Sequence, residues 1–322
     1  MDKSFDKLKK WLGIKDSLKL FERSQRGIYS TELIEKNKII IKIKSKFLIE
    51  YQKIYKLYPI DDIDEANSLV AFYLTKLVFD SDEYWINYIN TFPNDISEFP
   101  VCWNKSEINY LTFTSVSTNG FTNLDSHLES IISDFHIINE YNKINKIIEN
   151  IDDDTFFSTY FKYRILVGSR IFGYIKYGNQ TSGMIPYIDM INHSCESNTT
   201  WYFDDTLDSF VLVSTCVIPK NQEIIDDYGV KNNVDFLLFY GFTIPTSINP
   251  NPILRFEYNE NKYEFSLQSN LDTEDNIFEI KKKLLEIYIH HTNKLDKNKI
   301  INKDLINIYN DEIKVIKYLL KL

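Results

Sequence analysis

The chain has little cysteine, and its few cysteines show no pairing pattern. There are three, Cys102, Cys195 and Cys216, an odd number scattered over the sequence. We therefore expect free thiols in a reducing compartment and not a disulfide framework. A structural zinc site needs about four Cys or His ligands in paired spacing, and the sequence holds no such set, so we expect no metal centre.

A long apolar run is also missing. No stretch approaches ~18 uninterrupted apolar residues, and residues 1–11 are charged, so we expect neither a membrane-spanning helix nor a signal peptide. Positive charge is in the minority, with 37 Lys and Arg against 46 Asp and Glu and a net charge of −9. An acidic chain argues against nucleic acid as the main partner and suits a basic protein or peptide. We expect a monomer in the cytoplasm, with the nucleus as a second location.

The chain contains enough hydrophobic and aromatic residues to form packed cores. Its 322 residues are 43% hydrophobic and 15% aromatic, which allows one large or two modest domains. The hydrophobic pattern alternates as in strands, then takes a helical period, then alternates again. Predicted strands lie at 18–49, 200–203, 210–218 and 223–228, and a predicted hairpin joins 253–258 to 262–267. Predicted helices lie at 1–11, 64–79, 83–92, 126–150, 152–172, 234–240, 274–292 and 303–321.

The most informative stretch is IPYIDMINHSCESN, at residues 185–198. One helical turn here would place Asp189, Asn192 and His193 at i, i+3 and i+4, on one face. That face would present a carboxylate, an amide and an imidazole to a polar ligand, while the intervening apolar residues would point into a core. A polar turn with a buried, hydrogen-bonded histidine would give the same pattern, so the stretch alone leaves both interpretations open.

A second motif, IIDDYGVKNNVDFLLFYGF, follows at residues 224–242. An Asn-His-Ser segment with a downstream Asp-Tyr-Gly and Asn-Asn-x-Asp-Phe-Leu-Leu-x-Tyr-Gly-Phe resembles the SET-domain methyltransferases. The sequence is more similar to the branch of Rubisco large-subunit lysine methyltransferase and the actin-histidine methyltransferase. The resemblance runs from Leu20 to Phe242 and is most specific over residues 167–242.

The resemblance implies an α+β fold. A β-rich SET core of small sheets with a pseudoknot would be split by a helical insert. On this pattern, residues 1–60 and 166–245 form the two parts of the SET domain, 61–165 form the insert, and 246–322 form a short C-terminal region with a hairpin and helices. We expect this last region to be a reduced substrate-binding region. Residues 61–165 would otherwise be simply a helical domain whose aromatic stripes are core.

The resemblance implies S-adenosyl-L-methionine as the cofactor. The residues that match its binding positions are Gly27, Glu65, Ser169, Arg170, Asp189, Asn192, His193 and Tyr228. A fixed guanidinium at Arg170 suits the cofactor carboxylate, although a salt bridge at a helix end would use the same residue. Tyr228 also matches the catalytic tyrosine, whose hydroxyl would orient the acceptor amine and the polarised methyl group.

Three aromatic residues, Phe172, Tyr240 and Phe242, match the walls of the substrate channel. Aromatic rings hold an ammonium by cation–π attraction, but a chain with 22 tyrosines and 22 phenylalanines also places many of them in its core. The actin-histidine branch has a polar residue at the position of Phe172, where it hydrogen-bonds the imidazole. A phenyl ring offers no such bond, so we expect a lysine acceptor. The partner would be a non-histone protein such as a ribosomal or translation protein.

The sequence departs from the family pattern at two places. Gln25 replaces the first glycine of a Gly-x-Gly turn. If that position needs a positive φ, the glutamine costs about 1 kcal/mol or more and would weaken cofactor binding. Lys44 replaces a usual proline, a change that we expect to be structural. No cysteine follows Cys216, so the zinc-bearing tail of many histone-directed SET enzymes is absent.

Other functions remain as alternatives to a lysine methyltransferase. A histidine acceptor and a catalytically silent SET-fold binding module are the two main ones. His193 with Cys195 would suggest a thiol hydrolase, and adding Glu196 would suggest a metal site, but the orienting residue and the fourth ligand are missing. His290 and His291 point about 100° apart on a predicted helix, and we expect both at the surface.

Overall fold

The computed structural model describes residues 3–14, 18–22, 26–63, 66–111, 114–117, 123–271, 274, 276–296 and 302–322. Gln25 and Glu65 lie outside these residues, so the turn departure and the cofactor contact assigned to them stay predictions. The chain divides into two compact units. Unit 1 contains residues 1–94 and 131–229, and unit 2 contains residues 95–130 and 230–322. In the described part of the chain, no helix is long and apolar enough to span a membrane.

Most predicted helices and strands occur in the predicted order with altered ends. The helices at 51–57 and 105–108 and the strands at 171–176, 179–184 and 192–193 were not predicted. The helices are α1 (Lys3–Leu12), α2 (Tyr51–Leu57), α3 (Ala66–Phe79), α4 (Ile86–Ile89), α5 (Lys105–Ile108), α6 (Leu124–Asn145), α7 (Asp153–Gly168), α8 (Asn233–Tyr240), α9 (Ile277–Asp296) and α10 (Lys303–Leu320). The strands are β1 (Leu18–Glu22), β2 (Arg26–Ser30), β3 (Ile39–Lys44), β4 (Ile49–Glu50), β5 (Ile171–Lys176), β6 (Asn179–Met184), β7 (Asn192–His193), β8 (Thr199–Asp204), β9 (Ser209–Ser214), β10 (Ile225–Asp226), β11 (Ile253–Tyr258) and β12 (Asn261–Ser266). A 3₁₀ turn at Ile188–Met190 precedes β7.

Unit 1 holds its β structure in small sheets. One antiparallel sheet has the order β3-β9-β8, and another has the order β4-β6-β5. β1 pairs with β2, and β10 runs parallel to β7 over two residues. β3 and β4 precede α3 and α7 in the chain, whereas their partners β9 and β6 follow those helices. Pairing between distant segments therefore builds one β-rich core around a helical insertion, as the predicted α+β fold requires.

The sheet β3-β9-β8 has a central strand that is buried on both faces. Phe210, Val211 and Leu212 of β9 are all fully buried. In β3 the burial alternates, with Ile41 and Ile43 buried and Lys42 and Lys44 exposed. A continuous apolar run is typical of a strand covered on both faces, and alternation is typical of a strand with one solvated face.

A buried polar network joins three helices of unit 1. Arg164 of α7 is 1% exposed and donates from Nε to Ser68 Oγ at 2.9 Å. Ser68 of α3 in turn donates to Asp134 Oδ2 of α6 at 2.5 Å. Buried charges are tolerated only when they are paired and hydrogen-bonded. The network therefore specifies how α3, α6 and α7 pack.

Two predicted helix ends in unit 1 are wrong. The helix predicted to reach Phe172 ends at Gly168, and Phe172 lies in β5, because Ile171 already pairs with Met184. The helix predicted over residues 83–92 is helical only in α4, since Asp82 Oδ1 accepts from the Trp85 amide and turns surround that short segment. In both places contacts with distant or flanking residues override the helical period.

Unit 2 contains the β11–β12 hairpin and the helices α8, α9 and α10. The predicted hairpin is confirmed, but its second strand begins one residue earlier than predicted, with Ile253 opposite Ser266 and Tyr258 opposite Asn261. The expectation that His291 lies at the surface is wrong, because its side chain is 0% exposed and its Nε2 lies 2.6 Å from Glu312 Oε2 of α10. The helix α9 buries this face against α10, and Glu312 supplies the polar partner that a buried imidazole needs.

The two compact units divide the chain differently from the family pattern. Unit 1 takes in the helices α3, α4 and α7, which the family pattern assigns to the insert 61–165. The division into 1–60, 61–165, 166–245 and 246–322 groups residues by resemblance, whereas the units group them by spatial contact. That division stays a prediction.

A substitution at Gly183 of β6 tests how closely β6 packs against the backbone of β4. A Cβ at Gly183 would lie 2.7 Å from the Ile49 carbonyl oxygen and 3.1 Å from Glu50 Cα, both backbone atoms that cannot move away easily. We expect Gly183→Ala to lower the free energy of unfolding by about 1–3 kcal/mol, measured by urea denaturation. Gly173→Ala on the neighbouring strand is the control, since a Cβ there meets nothing within 4 Å. Equal stabilities of the two variants would contradict this account.

Candidate active site

The Asn-His-Ser segment does not form the predicted helical turn. A 3₁₀ turn ends at Met190, and Asn192 and His193 are then extended as β7. Asp189 therefore does not share one helical face with them. Asn192 and His193 are extended because β7 pairs with β10, where Ile225 lies opposite Asn192 and Asp226 lies opposite His193. The apolar part of the prediction is confirmed, because Met190 and Ile191 are buried.

This pairing brings the Asn-His-Ser and Asp-Tyr-Gly motifs into direct contact. The Tyr228 amide donates to His193 Nδ1 at 3.1 Å, and the Tyr228 hydroxyl donates to the Ile191 carbonyl oxygen at 2.6 Å. The two rings have centroids 5.1 Å apart. The Ser194 amide donates to the Asp226 carbonyl oxygen at 3.0 Å, which extends the junction by one residue. Two motifs that are separate in the sequence thus form one structural element.

His193 has a defined hydrogen-bonding role in this element. Its side chain is 1% exposed, and its Nδ1 accepts from the backbone of Tyr228, so the neutral ring carries its proton on Nε2. Cys195 Sγ lies 4.0 Å from that Nε2 and is exposed. In the described part of the chain, no group of three or more His, Cys, Asp or Glu could hold a metal ion. The imidazole orients the Tyr228 backbone.

Asn192 and Gly27 both lie next to Glu223, a residue that was not predicted from the sequence to belong to the site. Asn192 Nδ2 donates to the Arg26 carbonyl oxygen at 2.6 Å and to Glu223 Oε1 at 2.8 Å. A Cβ at Gly27 would lie 2.3 Å from the same Glu223 oxygen, so a side chain at this position would displace the Glu223 carboxylate. Tyr29 donates to the other oxygen of Glu223 at 3.2 Å. No local pattern in a single sequence distinguishes Glu223 from a surface glutamate.

Arg170, which is partly exposed, and the buried Asp189 form a charged pair. Arg170 Nη1 donates to the Asp189 carbonyl oxygen at 3.0 Å and lies 3.8 Å from Asp189 Oδ2. The Tyr88 hydroxyl donates to the same carboxylate oxygen at 2.5 Å. Burial raises the pKa of Asp189, and the positive charge of Arg170 and the hydrogen bond from Tyr88 oppose that rise. Ser169 Oγ donates to the Leu166 carbonyl oxygen at the end of α7, so it supports the helix end that precedes Arg170.

One donor and one acceptor of this pair have no partner among the described residues. They are Arg170 Nε and Asp189 Oδ1, and both atoms are buried. Buried polar groups in proteins are nearly always hydrogen-bonded, so neighbouring unpartnered groups at a candidate site indicate where a ligand would bind.

Phe172 belongs to an aromatic cluster on the β core. Its ring makes edge contacts with Trp201 at 5.2 Å and Phe210 at 5.5 Å between centroids. Trp201 donates from Nε1 to Asp226 Oδ2 at 2.9 Å. Trp201 and Asp226 were not singled out from the sequence, and only the adjacent Asp-Tyr-Gly motif could have drawn attention to Asp226. The cluster is thus apolar apart from the hydrogen bond between Trp201 and the buried Asp226 carboxylate.

Tyr240 and Phe242 lie in unit 2 with Phe236. The three rings have centroids 5.2–6.3 Å apart, and the Lys231 ammonium lies 5.6 Å from the centre of the Tyr240 ring. Burial raises the pKa of the Tyr240 hydroxyl to about 12. Their assignment as channel walls stays a prediction.

A protein-family model for the SET domain matches residues 25–229. The chain belongs to the SET-domain family. This SET-domain chain is 24% identical over 237 residues to an actin-histidine N-methyltransferase of Xenopus tropicalis, which covers 69% of the chain and 39% of that protein. It is 23% identical over 222 residues to the ribosomal lysine N-methyltransferase set10 of Schizosaccharomyces pombe, with 66% and 38% covered. The SET-domain chain thus spans about two fifths of the length of these relatives.

The fold of a solved structure matches the SET-domain chain over nearly its whole length. The crystal structure of the SET domain of LSMT bound to lysine and AdoHcy aligns with a TM-score of 0.74, 14% identity and coverage of 98% of this chain and 90% of that one. The resemblance and the α+β SET fold are therefore confirmed.

Asp226 gives a test of the site's electrostatics. Asp226 is 3% exposed, and burial raises the pKa of its carboxyl group from 3.8 to about 6. The charge of Asp227 also raises this pKa, whereas the hydrogen bond from Trp201 lowers it. Because the folded state binds the proton more tightly than the unfolded state, the contribution of Asp226 to stability is greatest below pH 4. It decreases as the pH rises through about 6.

We expect Asp226→Asn, which keeps an acceptor for Trp201, to remove this dependence. Relative to the wild type, the variant should gain stability between pH 4 and 7, by about 3 kcal/mol at most. The measurement is the free energy of unfolding in urea at several pH values. A stability difference between the two proteins that is constant over this range would contradict the assignment.

Proposed function

We propose that this SET-domain chain is an S-adenosylmethionine-dependent protein methyltransferase that methylates a lysine side chain of a non-histone protein. The observation that carries the proposal is the junction of the two motifs, in which Tyr228 is bonded through its amide to His193 and through its hydroxyl to Ile191. A tyrosine held at both its backbone and its hydroxyl is pre-organised, and catalysis by positioning requires such rigidity.

S-adenosylmethionine fits the charged pair of Arg170 and Asp189. Its amino-acid end carries a carboxylate and an ammonium group. Arg170 Nε is a buried donor on a cation, and Asp189 Oδ1 is a buried acceptor on an anion, and neither has a partner among the described residues. The amino-acid end of the cofactor would supply a partner to each. The solved SET domain of LSMT, whose structure contains AdoHcy, supports the same cofactor class.

The residues of the chain would then carry out the transfer by orientation. When bound, the cofactor supplies a methyl group on a sulfonium. The Tyr228 hydroxyl has committed its proton to the Ile191 carbonyl oxygen, so its own oxygen acts as an acceptor towards an amine N–H or a polarised methyl C–H. His193 holds the tyrosine backbone in place. A lysine beside a positive charge and an apolar wall has a lowered pKa, which yields the neutral amine that the reaction needs.

Phe172 favours lysine over histidine as the acceptor. Its ring packs among Trp201 and Phe210 and offers an apolar wall for an aliphatic stem but no hydrogen bond for an imidazole. A histidine acceptor is the second candidate, and the similarity to an actin-histidine N-methyltransferase supports it.

The ribosomal lysine N-methyltransferase among the relatives supports a ribosomal or translation protein as the substrate. The net charge of −9 suits a basic substrate protein. We also propose that the chain acts as a monomer, in the cytoplasm and in the nucleus.

Tritiated methyl transfer from S-adenosylmethionine into a cell extract tests the proposal. We expect label in methyl-lysine after acid hydrolysis, and we expect Tyr228→Phe to lower the rate at least about tenfold, which is about 1.4 kcal/mol in the barrier. The variant should keep cofactor affinity by calorimetry, since the change removes only the oriented hydroxyl. Tyr202→Phe, at a tyrosine of β8 that is 46% exposed, is the matched control.

Two outcomes would overturn parts of this proposal. Label in methyl-histidine would show that the argument from Phe172 is wrong. If several extracts gave no label although calorimetry detected cofactor binding, a silent binding module would replace the enzyme.

A further inference from the structure

Three charged residues of the site, Arg26, Arg170 and Asp189, contact one short segment that begins in α4. The segment is Tyr88, Thr91 and Phe92, and we call it the α4 brace. Tyr88 Oη donates to Asp189 Oδ2 at 2.5 Å, and the Thr91 carbonyl oxygen accepts from Arg26 Nη1 at 3.0 Å. The Phe92 ring lies under the Arg170 guanidinium, with 5.6 Å from its central carbon to the ring centre. Each charged group is thus held by a different residue of the α4 brace.

The α4 brace is itself rigid. Thr91 Oγ1 donates to the Tyr88 carbonyl oxygen at 2.6 Å, and the Tyr88 and Phe92 rings have centroids 4.9 Å apart. Tyr88 is 0% exposed, and Thr91 is 3% exposed. A second aromatic contact, between Phe92 and Tyr163 at 5.6 Å, ties the brace to α7. Groups held by such a buried, internally bonded segment have little freedom to reorient.

Asp189 is the member of this cluster whose charge depends on the α4 brace. Its side chain is 0% exposed, and the groups that face it are Tyr88 from α4, Arg170 from the turn after α7, and Arg26 from β2. Burial raises the pKa of Asp189, whereas the two arginines and the Tyr88 hydrogen bond lower it. Loss of the Tyr88 hydroxyl would remove one of the groups that favour the ionised form.

We propose that Tyr88 is a positioning residue that controls cofactor affinity by keeping the Asp189 carboxylate ionised and directed towards Arg170. The cofactor need not touch Tyr88 for this effect. An ionised Asp189 fixes the Arg170 guanidinium and leaves its own Oδ1 as an acceptor, whereas a protonated Asp189 loses the ion pair. The inference rests on the proposed function, because its readout is the affinity for S-adenosylmethionine.

The test is calorimetric titration of S-adenosylmethionine into Tyr88→Phe and wild-type protein between pH 5 and 9. We expect the variant to bind about tenfold more weakly at the acidic end of this range, the size expected for loss of a hydrogen bond to a charged group. The difference should shrink as the pH rises, because a higher pH restores the ionised form of Asp189. Turnover at saturating cofactor should change little.

Two further variants separate positioning from general damage to the fold. Tyr84→Phe lies in the turn before α4 at a tyrosine that is 45% exposed, and it should bind the cofactor as the wild type does at every pH. Asp189→Asn cannot ionise, so its affinity should be low, and its pH profile should lack the change that ionisation of Asp189 causes in the wild type. Adding Tyr88→Phe to Asp189→Asn should then cause no further loss, since the hydroxyl acts through the carboxylate.

The outcomes distinguish this inference from the proposed function. Wild-type protein that binds no S-adenosylmethionine would overturn the proposed function. Wild-type protein that binds it, together with a Tyr88→Phe variant of equal affinity and equal pH profile, would overturn the role of Tyr88 alone. Losses that add in the double variant would also overturn it. If Tyr88→Phe does not fold, an Asp189→Asn variant with wild-type affinity and pH profile would have the same consequence.

Discussion

The parallel pairing of β7 with β10 is the interaction on which the site depends. It spans only two residues on each strand, yet it joins the Asn-His-Ser and Asp-Tyr-Gly motifs. Such a short ladder is weak by itself, so flanking bonds have to secure it. Asn198 supplies two of them, since its Nδ2 donates to the Glu223 carbonyl oxygen and its Oδ1 accepts from the Ile225 amide. The Tyr228 hydroxyl and amide add two more from the other side.

Buried charge is the second feature that shapes unit 1. Asp189, Asp226 and Arg164 are each less than 10% exposed, and each has polar partners from a distant part of the chain. Burying a charge without such partners costs several kcal/mol, so these contacts restrict which packing arrangements are possible. Burial raises the pKa values of Asp189 and Asp226, a property common at functional sites, whereas Arg164 lies among helices and serves packing.

The sequence predicted the residues of the site better than their geometry. The motif residues Asn192, His193 and Tyr228 do meet in the structure, as the resemblance implies. The helical turn through Asp189 was wrong, because i, i+4 spacing cannot reveal that a distant strand will pair with Asn192 and His193. Glu223 and Trp201 escaped notice for the same reason. Their neighbours along the chain give no sign of the side chains that they contact in space.

The sequence by itself determined the family, the order of most helices and strands, and the chemical groups available at the site. These follow from local patterns, namely hydrophobic period, turn residues and short motifs, which any folded context must satisfy. Only the tertiary structure decided that α7 gives way to a strand before Phe172 and that Asp189 is held by Tyr88. Both outcomes depend on long-range contacts, whose free energy exceeds local helix preference and which no single stretch of sequence contains.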